Sequence, residues 1–243
     1  MNRGIEIQNV NFGYKKGINI LSNISLGIKK GFFLGITGVN GSGKSTLTYL
    51  FNGLIPHFIK GHLTGEILVD GVSTRTQNVA FFAHKVGMVF QNPDFSLFNL
   101  TVAEELEFGL DNLKLNNRKD RIGKALKSVN LEGFEDRDPQ TLSLGQKQKV
   151  CLAAVLALDT EYIVLDEPTA MLDFKSSLEL YQILKGLNER GKTIVVVEHD
   201  TDFLKQFAKE ILIINDGSIF RQGSIRKILA EKEMLAKLGI KIP

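Results

Sequence analysis

Closely spaced glycines followed by a lysine and two hydroxyl residues constrain this chain more than any other feature. The segment reads Gly-Val-Asn-Gly-Ser-Gly-Lys-Ser-Thr at 38–46 and fits the pattern G-x-x-x-x-G-K-[ST]. Glycines at this spacing let successive backbone N–H groups turn inward around an anion, and a helix that begins where the loop ends adds its positive dipole end. We predict that the loop binds a nucleoside triphosphate through Gly38, Asn40, Gly41, Ser42, Gly43, Lys44, Ser45 and Thr46.

Two side chains of this phosphate loop have separate expected roles. Lys44 is expected to reach the β- and γ-phosphates, and the Ser45 hydroxyl is expected to hold Mg²⁺. The pattern has this meaning only between a strand and a helix. Apolar residues at 33–37 predict a short buried strand before the loop, and residues 47–51 favour a helix after it.

The distribution of apolar and β-branched residues predicts an α/β fold. Segments 162–165 and 193–197 are typical of parallel core strands, with a helix at 176–189 between them. Other expected strands are 5–10, 18–28, 65–71, 85–90 and 211–214; expected helices are 101–127 (interrupted at 116–118), 143–158 and a tail at 225–238. We predict one nucleotide-binding domain over 1–243 with a mixed, mostly parallel sheet and an antiparallel β subdomain. Its core comprises 1–91 and 160–223, an inserted α-helical subdomain 92–159, and a tail helix 224–243.

Composition narrows the range of partners. Thirty basic and 27 acidic residues leave a net charge of +3, which is too small and scattered to favour nucleic acid. The one cysteine, Cys151, lies in an apolar run and is expected to be a small core residue in a reducing compartment. No window approaches the ~18 uninterrupted apolar residues of a membrane span, and residues 1–6 lack the apolar core of a signal peptide. We therefore expect the protein in the cytosol or peripheral on the cytoplasmic face of the membrane.

Polar side chains follow the predicted core strands, at the edge where open α/β sheets bind ligands. Asp166 is expected to hold Mg²⁺ through water, and Glu167 to activate the attacking water as general base. Gln91 follows another strand, and its amide is a candidate ligand of Mg²⁺ or of the attacking water. His199 ends a third strand, where it is expected to contact the γ-phosphate.

Each of these residues also has a structural interpretation. A carboxylate pair after an apolar strand can be a solvated strand end, although the phosphate loop favours the catalytic interpretation of Asp166 and Glu167. A neutral histidine such as His199 can be a buried hydrogen-bonding group. Tyr14 is a candidate for stacking on adenine, but an aromatic ring beside strands is more often core packing.

The order of these motifs along the whole chain resembles that of ATP-binding-cassette (ABC) ATPases. Leu-Ser-Leu-Gly-Gln at 142–146 resembles the family's Leu-Ser-x-Gly-Gln signature, and Ala-Met-Leu-Asp at 170–173 follows the carboxylates as in that family. The resemblance implies an ATPase in which Ser143, Gly145 and Gln146 complete the nucleotide site of a second cassette. Two cassettes would then close head to tail around two ATP–Mg²⁺. Ser143 is also a good helix N-cap, a role that is compatible with the first.

Leu144 departs from the family, which usually has glycine at this position. Gly145 is retained, so close approach of the backbone to a phosphate is expected to survive there. The bulk of Leu144 favours an unequal pair of composite sites. Whether the second cassette is another copy or a related chain stays open.

A finer resemblance is to the ATPase subunits of energy-coupling factor (ECF) importers, including the cobalt/nickel type. Segments 52–58, 65–71, 89–94 and 235–243 carry it. In that family Gln-Asn-Pro-Asp is commonly followed closely by another Gln, whereas Phe-Ser-Leu-Phe at 95–98 follows here. The resemblance implies uptake of a vitamin or transition-metal ion through separate integral membrane subunits, including a substrate-binding one.

Alternatives stay open for the residues after this motif and for the function. Phe95, Leu97 and Phe98 either pack inside the helical subdomain or line a groove that receives a helix of the membrane subunit. Rival functions are a conventional ABC importer with a solute-binding protein, a soluble non-transport ABC ATPase, and a regulatory module that does not hydrolyse. The presence of both Glu167 and His199 argues against the last.

Overall fold

The structure is a computed structural model that describes residues 4–243. Residues 1–3 lie outside the described residues. They belong to the predicted core 1–91 and to residues 1–6, which are expected to lack the apolar core of a signal peptide. The strands are β1 (Gly4–Gly13), β2 (Leu21–Lys29), β3 (Phe33–Thr37), β4 (His62–Val69), β5 (Val72–Ser73), β6 (Val86–Val89), β7 (Tyr162–Asp166), β8 (Thr193–Val197), β9 (Glu210–Asn215) and β10 (Ser218–Ser224). The helices are α1 (Lys44–Phe51), α2 (Leu54–His57), α3 (Val79–Ala83), α4 (Val102–Asn112), α5 (Arg118–Ser128), α6 (Leu144–Ala157), α7 (Phe174–Glu189), α8 (Thr201–Phe207), α9 (Ile225–Ile228) and α10 (Lys232–Lys237).

A six-stranded sheet forms the centre of the molecule, in the order β10-β9-β3-β8-β7-β6. All its strands run parallel except β10, which pairs antiparallel with β9 at one edge. Strands β3, β7 and β8 are buried along their whole length, which explains their continuous apolar sequences. The segments that follow the parallel strands therefore meet at one edge of the sheet.

The strands β2, β1, β4 and β5 form a separate antiparallel sheet. Its buried face packs with α1 and the six-stranded sheet in one apolar cluster that includes Phe12, Phe51 and Val164. The mixed, mostly parallel sheet and the antiparallel sheet confirm the predicted fold class.

Asp70, in the turn after β4, ties the two sheets together. Its carboxylate accepts hydrogen bonds from the Tyr162 hydroxyl at 2.7 Å and from Lys85 Nζ at 3.0 Å, and Lys30 Nζ lies 3.2 Å away. Burial alone would raise the pKa of Asp70, but these donors outweigh it and lower the pKa below its usual value. The ionised carboxylate therefore stabilises the contact between the sheets.

The helices α4, α5 and α6 pack on one another beside the edge strand β6. Their apolar faces, with Leu106, Leu126 and Val150 fully buried, join the cluster on the other face of the six-stranded sheet. Thr101 begins α4 with a capping box, in which its side chain accepts from the Glu104 N–H and Glu104 reaches back. The subdomain bounds 92–159, 1–91 and 160–223 stay predictions.

Two predicted elements differ from the structure. The tail expected as one helix over 224–243 is instead two short helices, α9 and α10. Helices this short depend on tertiary packing, and the burial of Ile228 and Leu235 decides their paths. The strand expected at 18–28 begins only at Leu21, because Ile18 pairs back to Lys15 in the preceding turn. Among residues 4–243, no helix combines the length and apolar character needed to cross a bilayer.

Candidate active site

The phosphate loop leaves β3 and enters α1, in the strand–loop–helix arrangement that the sequence predicts. Gly38, Gly41 and Gly43 have φ values of 154°, 77° and 102°. A Cβ at Gly38 would lie 2.2 Å from the carbonyl oxygen of Ile214, and one at Gly43 would lie 2.9 Å from Leu21 Cδ2. The loop therefore adopts its shape because these positions have no side chain.

Lys44 lies buried against the backbone of its own loop. Its Nζ donates to the carbonyl oxygens of Gly38 and Val39, each at 3.0 Å. Burial lowers the pKa of Lys44, and the carboxylates of Glu167 and Asp166 oppose that shift. A bound phosphate would offer this ammonium charged acceptors, which form stronger hydrogen bonds than two carbonyl groups.

Asp166 at the end of β7 and Ser45 in the first turn of α1 form a donor set that fits Mg²⁺. Asp166 is buried, and within the described residues its Oδ1 has no hydrogen-bond partner. Burial raises the pKa of this carboxyl, and the polar Ser45 side chain opposes the rise. Mg²⁺ usually binds one or two carboxylates together with phosphate and water oxygens, so an unpartnered carboxylate oxygen beside a hydroxyl suits it.

Glu167 contacts two other residues that the sequence singles out. Its Oε1 lies 3.0 Å from His199 Nε2, and its Oε2 accepts a hydrogen bond from Gln91 Nε2 at 3.1 Å. Gln91, Glu167 and His199 come together because β6, β7 and β8, which precede them, are neighbours in the sheet. Glu167 has a φ of 47°, and its N–H donates to the Val197 carbonyl at 3.0 Å. Backbone strain of this kind costs about 1 to 3 kcal/mol and is common at functional sites.

Sequence reasoning missed Glu198, a buried carboxylate at the end of β8. The Thr169 hydroxyl donates to Glu198 Oε1, and the His199 N–H donates to Oε2 at 3.0 Å. Burial raises the pKa of Glu198, and these hydrogen bonds oppose the rise. Glu198 therefore joins the segment after Glu167 to His199. The only signal in the sequence is an acidic residue after an apolar strand, which a solvated strand end would explain equally well.

The signature residues lie at the start of α6. Ser143 and Gln146 form a reciprocal capping box: the Gln146 N–H donates to Ser143 Oγ at 3.3 Å, and the Ser143 N–H donates to Gln146 Oε1 at 3.0 Å. A Cβ at Gly145 would lie 2.9 Å from Ser176 Oγ in α7, so packing within the chain also requires this glycine. Leu144 is half-buried. Within residues 4–243, no hydrogen bond joins the signature to the phosphate loop.

Tyr14 lies next to the end of the phosphate loop and is 47% exposed. Its hydroxyl lies 2.9 Å from Thr46 Oγ1, and its ring meets Phe12 edge-on. Tyr14 is thus partly packed against the chain and partly accessible to a ligand. Stacking on adenine stays a prediction.

An open cleft of about 630 Å³ extends from Asp166 past Gln91 to Phe95 and Phe98. The two phenylalanines are 90% and 63% exposed, whereas Leu97 between them is buried. Of the two interpretations for these residues, internal packing therefore applies to Leu97, and in part to Phe98, whose ring meets Phe108 of α4 edge-on at 5.0 Å. Phe95 and Phe98 line the cleft, and exposed aromatic groups of this size usually mark an interaction surface.

Known proteins resemble this chain in sequence and in fold. The family model for the ABC transporter matches residues 21–170. The energy-coupling factor transporter ATP-binding protein EcfA of Methanocaldococcus jannaschii is 36% identical over 243 residues, covering 98% of this chain and 85% of that protein. The structure of cbiO1 from Clostridium perfringens, part of the ABC transporter complex cbiONQ, has a TM-score of 0.86 and 32% identity, over 98% of this chain and 95% of that one.

A second structural neighbour shows the product state of such a cassette. The ATP-binding cassette MJ0796, in a dimeric post-hydrolysis state bound to ADP and phosphate, has a TM-score of 0.80 and 35% identity, over 91% of this chain and 99% of that one. Family match, fold and site agree with one another. This chain belongs to the ABC transporter family and is an ATP-binding, ATP-hydrolysing subunit of a transporter.

Proposed function

We propose that the chain is the ATPase of an ECF-type importer, which couples ATP binding and hydrolysis to uptake of a vitamin or transition-metal ion through separate membrane subunits. The observation that carries this proposal is the cleft, which connects Asp166 and Gln91 to the exposed rings of Phe95 and Phe98. A groove with exposed aromatic rings fits an amphipathic helix of a membrane partner. The similarity to EcfA and cbiO1 supports the ECF type.

In the proposed reaction, Glu167 is the general base. It accepts a proton from water while the water oxygen bonds to the γ-phosphorus and the bond to the β–γ bridging oxygen breaks. His199, 3.0 Å from the Glu167 carboxylate, orients it and contacts the γ-phosphate. Lys44 offsets negative charge on the transferred phosphoryl group.

Three residues would hold Mg²⁺ beside the phosphates: Ser45, Asp166 and Gln91. When bound, the ion offsets charge on the β- and γ-phosphate oxygens. Gln91 donates to the Glu167 carboxylate, so the proposed Mg²⁺ ligand contacts the proposed general base. Gln91 also opens onto the cleft, so it is positioned to respond to both nucleotide and membrane partner.

The remaining contacts to ATP come from the loop, from Tyr14 and from a second cassette. Backbone N–H groups of 38–46 surround the phosphates, and the exposed part of Tyr14 stacks on adenine. Ser143, Gly145 and Gln146 complete the site of a second ATPase subunit, either another copy or a related chain. The dimeric structure of MJ0796 supports this assembly. The dimer is peripheral, on the cytoplasmic face of the membrane.

Recovery of the affinity-tagged chain from its native membranes tests the type of transporter. An ECF importer predicts co-purification of integral membrane subunits that include the substrate-binding one. A soluble solute-binding protein among the partners would identify a conventional importer instead. Recovery without any membrane protein would indicate a soluble ABC ATPase.

The same recovery tests the cleft as the docking surface. The double variant Phe95→Ala/Phe98→Ala is expected to lose the membrane subunits, because the proposed contact is mainly apolar. Phe220→Ala is a matched control, since Phe220 is 47% exposed on β10, at the opposite edge of the sheet from β6. Equal recovery with both variants would contradict docking in the cleft.

A further inference from the structure

The segment that contains Gln91 is held to the first turns of the signature helix α6. Lys147 Nζ lies 2.6 Å from Asp94 Oδ1, and the adjacent Gln148 donates from Nε2 to the Phe90 carbonyl at 3.4 Å. Gln148 is 1% exposed and Lys147 is 8% exposed. Two consecutive residues of α6 thus contact the segment on both sides of Gln91.

Lys147 occupies a position that the helix itself does not favour. A cation in the first turn of a helix opposes the helix dipole, and a buried ammonium loses hydration. The carboxylate of Asp94 offsets both effects only because the segment after Gln91 is brought against α6. The ion pair therefore depends on the relative placement of these two elements.

Contacts continue from the ion pair in both directions. On one side, Gln91 donates to the carboxylate of Glu167. On the other, Lys147 follows directly after the capping box of Ser143 and Gln146. The pair consequently stands between the contact to the general base of this chain and the surface that completes the nucleotide site of a second cassette.

We propose that Asp94 and Lys147 are positioning residues that couple the two nucleotide sites. Gln91 responds to the γ-phosphate of its own site, and the ion pair transmits the shift to the signature turn at 143–146. The position of one chain's signature then depends on whether that chain's own site holds a γ-phosphate. Because the signature completes the opposite site, the state of the first site affects the second. This inference rests on the proposed head-to-tail dimer and assigns the regulation between its two sites.

The chain offers a closely matched control pair. Lys149 Nζ lies 2.7 Å from Glu179 Oε2, with side chains 11% and 42% exposed, against 10% and 42% for Lys147 and Asp94. The control pair joins α6 to α7 and does not involve the Gln91 segment. The general effect of losing a partly buried ion pair on α6 can thus be distinguished from the specific effect of losing the pair between Lys147 and Asp94.

Amide hydrogen exchange in the Glu167→Gln background tests the coupling, with and without ATP–Mg²⁺. In the parent, ATP is expected to slow exchange at both 38–46 and 143–147. In Asp94→Asn and in Lys147→Met, the slowing of exchange by ATP at 143–147 should be about tenfold smaller, which corresponds to the loss of a charged hydrogen bond. The slowing at 38–46 should be retained. The swapped variant Asp94→Lys/Lys147→Asp should restore the slowing at 143–147, because it keeps opposite charges at the two positions. An acidic residue in the first turn also suits the helix dipole.

Three results would overturn the inference. One is ATP-dependent protection at 143–147 that persists in Asp94→Asn and Lys147→Met. Another is an equal loss in the control variants Lys149→Met and Glu179→Gln. The third is a parent that is protected at 38–46 but not at 143–147. Failure of the proposed transport function would appear elsewhere, as absence of membrane subunits in the recovery experiment.

Discussion

Replacing Glu167 by glutamine removes the proton acceptor of the proposed reaction and keeps the shape of the side chain. The glutamine carbonyl can still accept one of the two contacts that come from His199 at 3.0 Å and Gln91 at 3.1 Å, so the site keeps its geometry. General-base catalysis contributes about 10²- to 10⁴-fold, or about 2.7 to 5.4 kcal/mol of transition-state stabilisation. We therefore expect Glu167→Gln to reduce the hydrolysis rate by at least about 100-fold.

Single-turnover release of phosphate measures this loss, and equilibrium binding of ATP is followed on the same samples. ATP affinity should be preserved, because the loop, Lys44 and Asp166 are unchanged. The control is Glu189→Gln, on the exposed end of α7, where the carboxylate lies 3.9 Å from Lys185; it should hydrolyse at the wild-type rate. Undiminished hydrolysis by Glu167→Gln would refute the assignment of Glu167 as general base.

Three further predictions concern Lys44, Asp70 and Cys151. Lys44→Ala should weaken ATP binding in calorimetry by about 10- to 100-fold through loss of charged hydrogen bonds, and unchanged affinity would contradict the assignment of the phosphate loop. The folded-state pKa of Asp70 is lowered, so its stabilisation is complete above the ordinary carboxyl pKa of 3.8 and is lost as pH falls through the folded value. Asp70→Asn should remove this part of the acid dependence of the free energy of unfolding; identical pH profiles in urea titrations would argue against the contact. Burial raises the pKa of Cys151 to about 12, so a maleimide should label this thiol at pH 8 only after denaturation, and labelling of the folded protein would show that it is accessible.

Short-range patterns allowed much of the fold to be predicted. The phosphate loop between β3 and α1 was evident because its chemistry, its glycines and its flanking elements lie within a few residues of one another. Strands β7 and β8 were evident because burial on both faces requires continuous apolar residues. The tail was predicted less well, since α9 and α10 are too short to be stable alone and depend on what they pack against.

Most candidate site residues were also predicted from local patterns, but the contacts between their side chains were not. Gln91, Glu167 and His199 each follow a strand, but the sequence between them does not predict that their side chains are in contact. Glu198 was missed because a carboxylate beside an apolar strand has the same sequence pattern whether it is solvated or accepts hydrogen bonds from Thr169 and the His199 backbone. Such partners are decided by how distant segments pack.

The sequence by itself determined that this chain binds a nucleoside triphosphate and has an α/β core, because both depend on contiguous residues. Only the tertiary structure decided that Glu167 lies between Gln91 and His199, since this follows from the order of β6, β7 and β8 in the sheet. It also decided that Lys147 meets Asp94, an ion pair between residues 53 positions apart. Strand order and helix docking minimise exposed apolar area over the whole molecule, and no local segment contains that information.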